Sequence, residues 1–302
     1  MREFAGRTAV VTGAASGIGF AIARHAASSG MHVVLADVQV DALERAAAEL
    51  RGTGAEVMTH RLDVSRAADV EALGASVQAR FGTPHLVFNN AGVASGGLIW
   101  EQSARTWEWV LGVNLMGVAH GVRVFVPAML AAAQADRNYE GHVVNTASMA
   151  GLLNPPNLAV YNVSKHAVVS LSETLYHDLA LVSDRVHAHV LCPYYVPTAI
   201  VESERNRPAE LRDAGPLTAS AKAAWTMTSQ AVAGGKVTAD RVTELTFQAI
   251  RDNLFYIYSH PQALGSVRTR MEDIVAARNP TDPYLERPEV GEQLRALMRG
   301  RR

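Results

Sequence analysis

Short β-branched apolar runs alternate along the chain with longer Ala-rich stretches whose apolar residues return every three to four positions. "RTAVVTG" reads as a strand, "GIGFAIARHAASSG" as a helix closed by Gly30, and "MHVVLAD" as a second strand. The helix "VDALERAAAELRG", the strand "AEVMTHRLD" and the helix "SRAADVEALGASVQARFG" follow. "PHLVFNNAG", "GHVVNTAS" and "RVHAHVLCP" are further strands, with the long helix "YNVSKHAVVSLSETLYHDLALV" between the last two. Strand and helix in repeated alternation predict βαβ units, hence an α/β fold with a doubly wound parallel sheet. The strands are continuous apolar runs, as expected when helices cover both sheet faces.

The alternation falters after Pro193. Residues 194–238 give no strand signal and read as a substrate-lid insertion, with Leu211, Leu217, Trp225 and Met227 as its apolar offering. "ADRVTELTFQAIRDN" resumes a helix and "LFYIYS" a last strand; "QALGSVRTRMEDIVAARN" reads helical, and the Pro-containing remainder gives no clear signal. The expected organisation is one domain over 1–260 and a C-terminal helical extension over 261–302.

Composition narrows the function classes. A formal charge of −1 gives no global field toward nucleic acid or an anionic membrane. The basic end "RALMRGRR" reads as a solvated terminus. One cysteine, Cys192, in the apolar run "VHAHVLC", excludes an internal disulfide and reads as a buried thiol. A strand beginning by about Arg7 leaves no room for a signal peptide, and no apolar run reaches the roughly 18 residues of a membrane span. A cytoplasmic protein is the expectation.

"VVTGAASGIGFAIA" sets Gly13, Gly17 and Gly19 at the first strand-to-helix turn. Glycine tolerates positive φ there, and the missing Cβ lets a pyrophosphate approach the backbone at the positive end of a helix dipole. Ser16 adds a hydroxyl. A Gly-rich turn without a ligand is the plain alternative. Asp37 ends the second strand, where a carboxylate accepts from adenosine ribose hydroxyls and repels a 2′-phosphate. No basic residue follows it directly, so NAD is the expected cofactor; a helix-entry role is its alternative.

Of 28 basic residues only Lys165, Lys222 and Lys236 are lysines, and Lys165 stands four places after Tyr161. Chance placement gives about 0.08 such pairs in a chain of this composition. On a helix, positions i and i+4 share a face. An ammonium near a phenol lowers its pKa toward a useful proton acceptor. Ser148 follows a strand, where its hydroxyl can orient a substrate oxygen.

With "TGAASGIG" at 12–19, Asp37, "DV" at 63–64, "NNAG" at 89–92, Asn114 in "VNL", Ser148 and "YNVSK" at 161–165, the chain resembles the short-chain dehydrogenase/reductase family over about residues 5–260. The resemblance implies a Rossmann fold with Tyr161 as general acid/base and Lys165 holding the nicotinamide ribose and lowering the phenol's pKa. Ser148 would bind the substrate oxygen, and Asn114 would support a proton-relay water. Ile18 and Val38 join the glycine turn and Asp37 in the cofactor set. Asp63 and Val64 would border the adenine, and Asn90, Ala91 and Gly92 the adenosine side. Pro193, Val196 and Thr198 would lie along the nicotinamide. Asn89 and Asn114 have the plain alternative of tying backbone together. Tyr194 stands where the family usually has glycine, and a ring there would wall the substrate site.

The resemblance implies an NAD-dependent alcohol dehydrogenase or ketone reductase with a small-molecule substrate, and a homo-tetramer or homo-dimer; the apolar lid residues make a hydrophobic secondary alcohol or its ketone, alicyclic or aromatic, the preferred class. "VLGVNLMGVAHGVRVFVPAMLAAA" would supply the subunit face or, equally, internal core. No metal-ligand cluster is expected; the eleven histidines are scattered, and His187 and His189 read as structural. The rivals are a non-catalytic NAD-binding regulatory protein and an epimerase or dehydratase on the same fold.

Overall fold

A computed structural model describes residues 1–299; the last residues of the basic terminus lie outside that range. Among the described residues, seven strands form one parallel sheet: β1 (Thr8–Thr12), β2 (His32–Asp37), β3 (Val57–Arg61), β4 (Leu86–Asn89), β5 (Gly141–Thr146), β6 (Val186–Cys192) and β7 (Tyr256–Tyr258). Their order is β3-β2-β1-β4-β5-β6-β7. The winding reverses between β1 and β4, so a crevice opens beyond the strands' C-terminal ends there.

Helices α1 (Gly17–Ser28), α2 (Val40–Arg51), α3 (Ala67–Phe81), α4 (Ala104–Leu111), α5 (Gly117–Ala135), α6 (Ala159–Val182) and α8 (Ala239–Asp252) flank the sheet. Neighbouring strand residues serve opposite faces: Ala9 and Val11 pack with Ile22, Leu35 and Phe247, whereas Val10 packs with Val34, Phe125 and Met129. Both sheet faces are therefore buried, which is why the strands lack polar alternation. Cys192 is buried, and burial pushes its thiol up to about 12.

The structure fills in the lid and the expected C-terminal helical extension, and it corrects one expectation. The segment 194–238 contains α7 (Ala219–Ala233), opened by Thr218, whose side chain accepts from the Ala221 amide. Its two threonines, two serines and few large apolar residues leave no strong 3.6-residue stripe in the sequence. The tail beyond α9 (Leu264–Val275) holds α10 (Pro288–Met298), which packs on α7. Finally, Ala104–Ala135 is long and apolar enough to cross a membrane by length and composition, contrary to the reading that no stretch is. In the fold it forms a layer against α3, β4 and β5, burying Val118, Phe125 and Met129.

Candidate active site

The crevice at the β1/β4 reversal holds a cavity of about 350 Å³. Gly13 and Gly17 line it with φ of +65° and +57°. A Cβ on Gly13 would stand 2.8 Å from Ala91 Cα, and one on Gly17 would stand 3.2 Å from Thr198 Cγ2. Gly19 lies behind the wall, where a Cβ would come within 2.1 Å of the Gly13 carbonyl oxygen. It lets the first turn of α1 approach the loop rather than contacting the cavity. Ser16, Ile18, Val38, Asp63, Val64, Asn90, Ala91, Gly92, Pro193, Val196 and Thr198 all border the cavity.

Asp37 is buried, and its two oxygens accept from the Ala15 and Gln39 amides, each at 3.0 Å. The carboxylate thereby ties the glycine loop to the end of β2 while retaining lone pairs for a ribose. Asn90 has a similar double position: its Nδ2 donates to the Thr12 carbonyl at 3.1 Å while Thr146 donates to its Oδ1 at 3.3 Å. Asn89 ties side chain to side chain rather than backbone, its Nδ2 donating to Asn145 Oδ1 at 2.9 Å between β4 and β5.

At the other end of the cavity stand Ser148, Tyr161 and Lys165. Ala159, at φ +33°, admits the chain to α6 in a sparsely populated conformation just before Tyr161. One turn on, Lys165 Nζ lies 5.8 Å from the Tyr161 ring centre and donates to the Thr146 carbonyl at 2.9 Å. Burial pushes the Lys165 amine down to about 8. Burial also raises the Tyr161 pKa, and a hydrogen bond with Ser148 opposes the rise. Among the chain's own groups, desolvation of the phenolate is the largest influence on this phenol.

Asn114 sits in a π-helical turn, Gly112–Met116, between α4 and α5, and is fully buried. Its side chain exchanges hydrogen bonds with Val93, accepting from N at 2.8 Å and donating to O at 3.0 Å, and also donates to Ser164 Oγ at 3.0 Å. It does not border the cavity; a Cβ on Gly92 would nonetheless meet Asn114 Oδ1 and Lys165 Nζ at 3.4 Å each. The extra residue of the π turn is a common device at functional sites.

Tyr194 lines the cavity at 41% exposure, its amide donating to Ser259 Oγ at 2.9 Å and its ring 4.3 Å from that of Tyr195. Its φ is not positive, so a side chain in place of glycine is tolerated. Of the four apolar lid residues only Leu211 lines the cavity; Leu217 and Trp225 are exposed. Sequence reading missed Trp109, Ile200, Pro208 and Val232 in the wall, and Arg205, which donates to Gln39 Oε1 at 3.2 Å. Trp109 and Ile200 carried no motif, and only the fold brings them here. The expectation of no ligand cluster is also corrected: parallel pairing gathers Glu140, His142 and His187 with donor atoms within 4.8 Å of one another.

Residues 7–209 match the family model described as short chain dehydrogenase. A short chain dehydrogenase/reductase from Burkholderia phymatum, solved in complex with NAD, is 54% identical with a TM-score of 0.91, covering 94% of this chain and 99% of its own. The 1-deoxy-11-beta-hydroxypentalenate dehydrogenase of Streptomyces exfoliatus is 34% identical over 89% of this chain and 88% of its own. The CLA biosynthesis dehydrogenase/reductase of Lactiplantibacillus plantarum is 32% identical over 91% and 95%.

Proposed function

Because the chain belongs to the short-chain dehydrogenase family, we propose that it is an NAD-dependent oxidoreductase interconverting a hydrophobic secondary alcohol and its ketone. The observation that carries this reading is the convergence of Tyr161, Lys165 and Ser148 on the cavity that the glycine loop opens into. The loop fits a dinucleotide because Gly13 and Gly17, both at positive φ, line the cavity with bare backbone at the start of α1, where a pyrophosphate can reach the amides. Asp37 favours a free ribose over a 2′-phosphate, and the Burkholderia relative is an NAD complex. Bound NAD supplies the hydride acceptor.

The chain's own part is proton handling and placement. Ser148 holds the substrate oxygen toward Tyr161, and its hydrogen bond to Tyr161 opposes the rise in pKa that burial causes, favouring the phenolate that takes the hydroxyl proton. Lys165 has three donor hydrogens; one is committed to Thr146, leaving two for ribose hydroxyls. Trp109, Ile200, Pro208, Leu211 and Val232 give the apolar wall that supports a hydrophobic substrate, with Tyr194 at its edge. The Streptomyces exfoliatus relative is named as the dehydrogenase of a hydroxypentalenate, which supports reading the substrate as an alcohol. A homo-oligomer through the exposed flanks of the π turn and α6, where Met116, Val163 and Tyr176 face outward, completes the proposal and is read by gel filtration.

NADH absorbance followed across a panel of alicyclic and aromatic alcohols tests the reading. Tyr161→Phe is expected to lower turnover by about 10²- to 10⁴-fold with NAD affinity nearly unchanged. Tight NAD binding without turnover on any alcohol would favour a non-catalytic regulator instead.

A further inference from the structure

At the opposite, N-terminal ends of the strands a second group of polar side chains meets. Parallel pairing places His142 on β5 beside His187 on β6, with His189 two residues further along. Glu140 precedes β5. The cluster lies about 13 Å along the strand from Thr146, at roughly 3.3 Å per residue, and so is separate from the catalytic end.

The hydrogen bonds fix its tautomers. His189 Nδ1 lies 2.7 Å from the Leu254 carbonyl, which only accepts, so that nitrogen carries the proton. Both inner rings are wholly buried and neighbour each other, which holds them neutral. His189 Nε2 is therefore a lone pair, and it accepts from His142 Nδ1 at 2.8 Å. His142 Nε2 is then bare, and it faces Glu140 Oε1 at 3.1 Å. Two acceptors that close repel unless a cation bridges them. Here the bridge is the Met1 α-ammonium, which donates to Glu140 Oε1 at 2.6 Å and stands 3.2 Å from His142 Nε2. His187 Nε2 waits 4.0 Å from the same carboxylate oxygen.

We propose that Glu140, His142 and His187 form a binding site for a borderline divalent cation, Zn²⁺ matching the donor set best, with the metal taking the bridging place of the ammonium. Two imidazoles and a carboxylate are zinc ligands, whereas Mg²⁺ and Ca²⁺ prefer all-oxygen shells. Tetrahedral donors about 2.0–2.1 Å from zinc lie some 3.3 Å apart, a spacing that the 3.1 and 4.0 Å pairs bracket. The His142–His189–Leu254 chain is the outer hydrogen bonding that metal-bound histidines use to fix their tautomer. Glu140 and His187 are 34% and 20% exposed, which gives the ion a path from solvent.

Untagged full-length protein, freed of metal by chelator and dialysis, is titrated with Zn²⁺ by calorimetry and with Co²⁺ by visible absorbance. One Co²⁺ per chain with tetrahedral absorption, displaced by Zn²⁺, is expected. Glu140→Gln and His187→Ala should each weaken binding by at least ten- to hundred-fold. Circular dichroism confirms the fold of both variants. Absence of saturable binding to the wild-type chain overturns the site, as does unchanged affinity in both variants.

Discussion

Lys165 is a cation held where its charge is poorly solvated, and that has a measurable consequence for stability. In the unfolded chain its amine keeps a proton up to the usual 10.5, but burial lowers the folded value to about 8. Between those pH values the unfolded state binds more protons, so stability rises with pH. The penalty, about 3 kcal/mol, is fully present below pH 8 and is relieved toward 10.5. Lys165→Met removes it but leaves the Thr146 carbonyl without its donor, which costs about 1–3 kcal/mol. The difference in Tm, variant minus wild type, is therefore expected to be most favourable near pH 7 and to decline as pH rises. A difference flat with pH would show that Lys165 does not carry this burden. At this scale the sequence was informative because the chemistry needs particular residue types: the rare lysine one turn from Tyr161, and glycines where a Cβ would collide. The direction of the Tyr161 pKa was not legible, since burial belongs to the packing around it and not to its spacing.

Among the elements, the lid is fastened to α4 by one buried guanidinium. Arg207, 5% exposed, donates to Thr106 Oγ1 at 2.9 Å and to Asp213 Oδ2 at 3.1 Å, and lies 5.1 Å from the Trp109 ring centre. Asp213 in turn accepts from Ser103, the N-cap of α4, at 2.6 Å. This fastening positions Leu211 and Pro208 over the cavity and holds the Trp109 wall still. Asp213 is 42% exposed, so the ion pair is partly screened and the geometry matters more than the charge. Arg207→Leu is expected to raise the substrate KM about tenfold and to lower Tm, with NAD affinity unchanged. Arg207→Lys should recover only part, because it lacks the planar fork. An unaltered KM would detach the lid from substrate binding. The sheet and its flanking helices were legible from apolar runs, but α7 was not: its sequence is Ala-, Ser- and Thr-rich, and tertiary contacts with the lid and α10 decide it. The π turn at Asn114 was equally hidden, because an inserted residue leaves no mark in a helix that is apolar nearly throughout.

For the molecule as a whole, the reversal between β1 and β4 sets the glycine loop and Ser148, Tyr161 and Lys165 around one cavity at one end of the sheet, and the C-terminal extension packs near that end. After α9 the chain folds back on that helix, where Asp273 Oδ2 accepts from the Thr281 amide and hydroxyl at 2.9 and 2.8 Å. It then brings Tyr284 near Tyr194 and Tyr195; burial raises the phenol pKa of Tyr195 and Tyr284, with Tyr194 adding to both and Asp282 to that of Tyr284. Gly291 packs so closely on Tyr284 that a Cβ would stand 2.9 Å from the tyrosine's Cβ and 3.3 Å from its ring Cδ2, which seats α10 against this tyrosine while the same helix packs on α7. The extension thus supports the substrate end of the cavity from outside and leaves the glycine loop and Asp37 untouched. Deleting residues 281–302 is expected to leave the NAD Kd within about twofold while changing kcat/KM for bulky alcohols by more than about tenfold, some 1.4 kcal/mol of discrimination. Isothermal titration with NAD and steady-state kinetics on small and large alcohols separate the two effects. Equal loss on both classes of alcohol would mean that α10 stabilises the lid generally; a selective loss on the larger ones places Tyr284 and Tyr194 in the specificity wall.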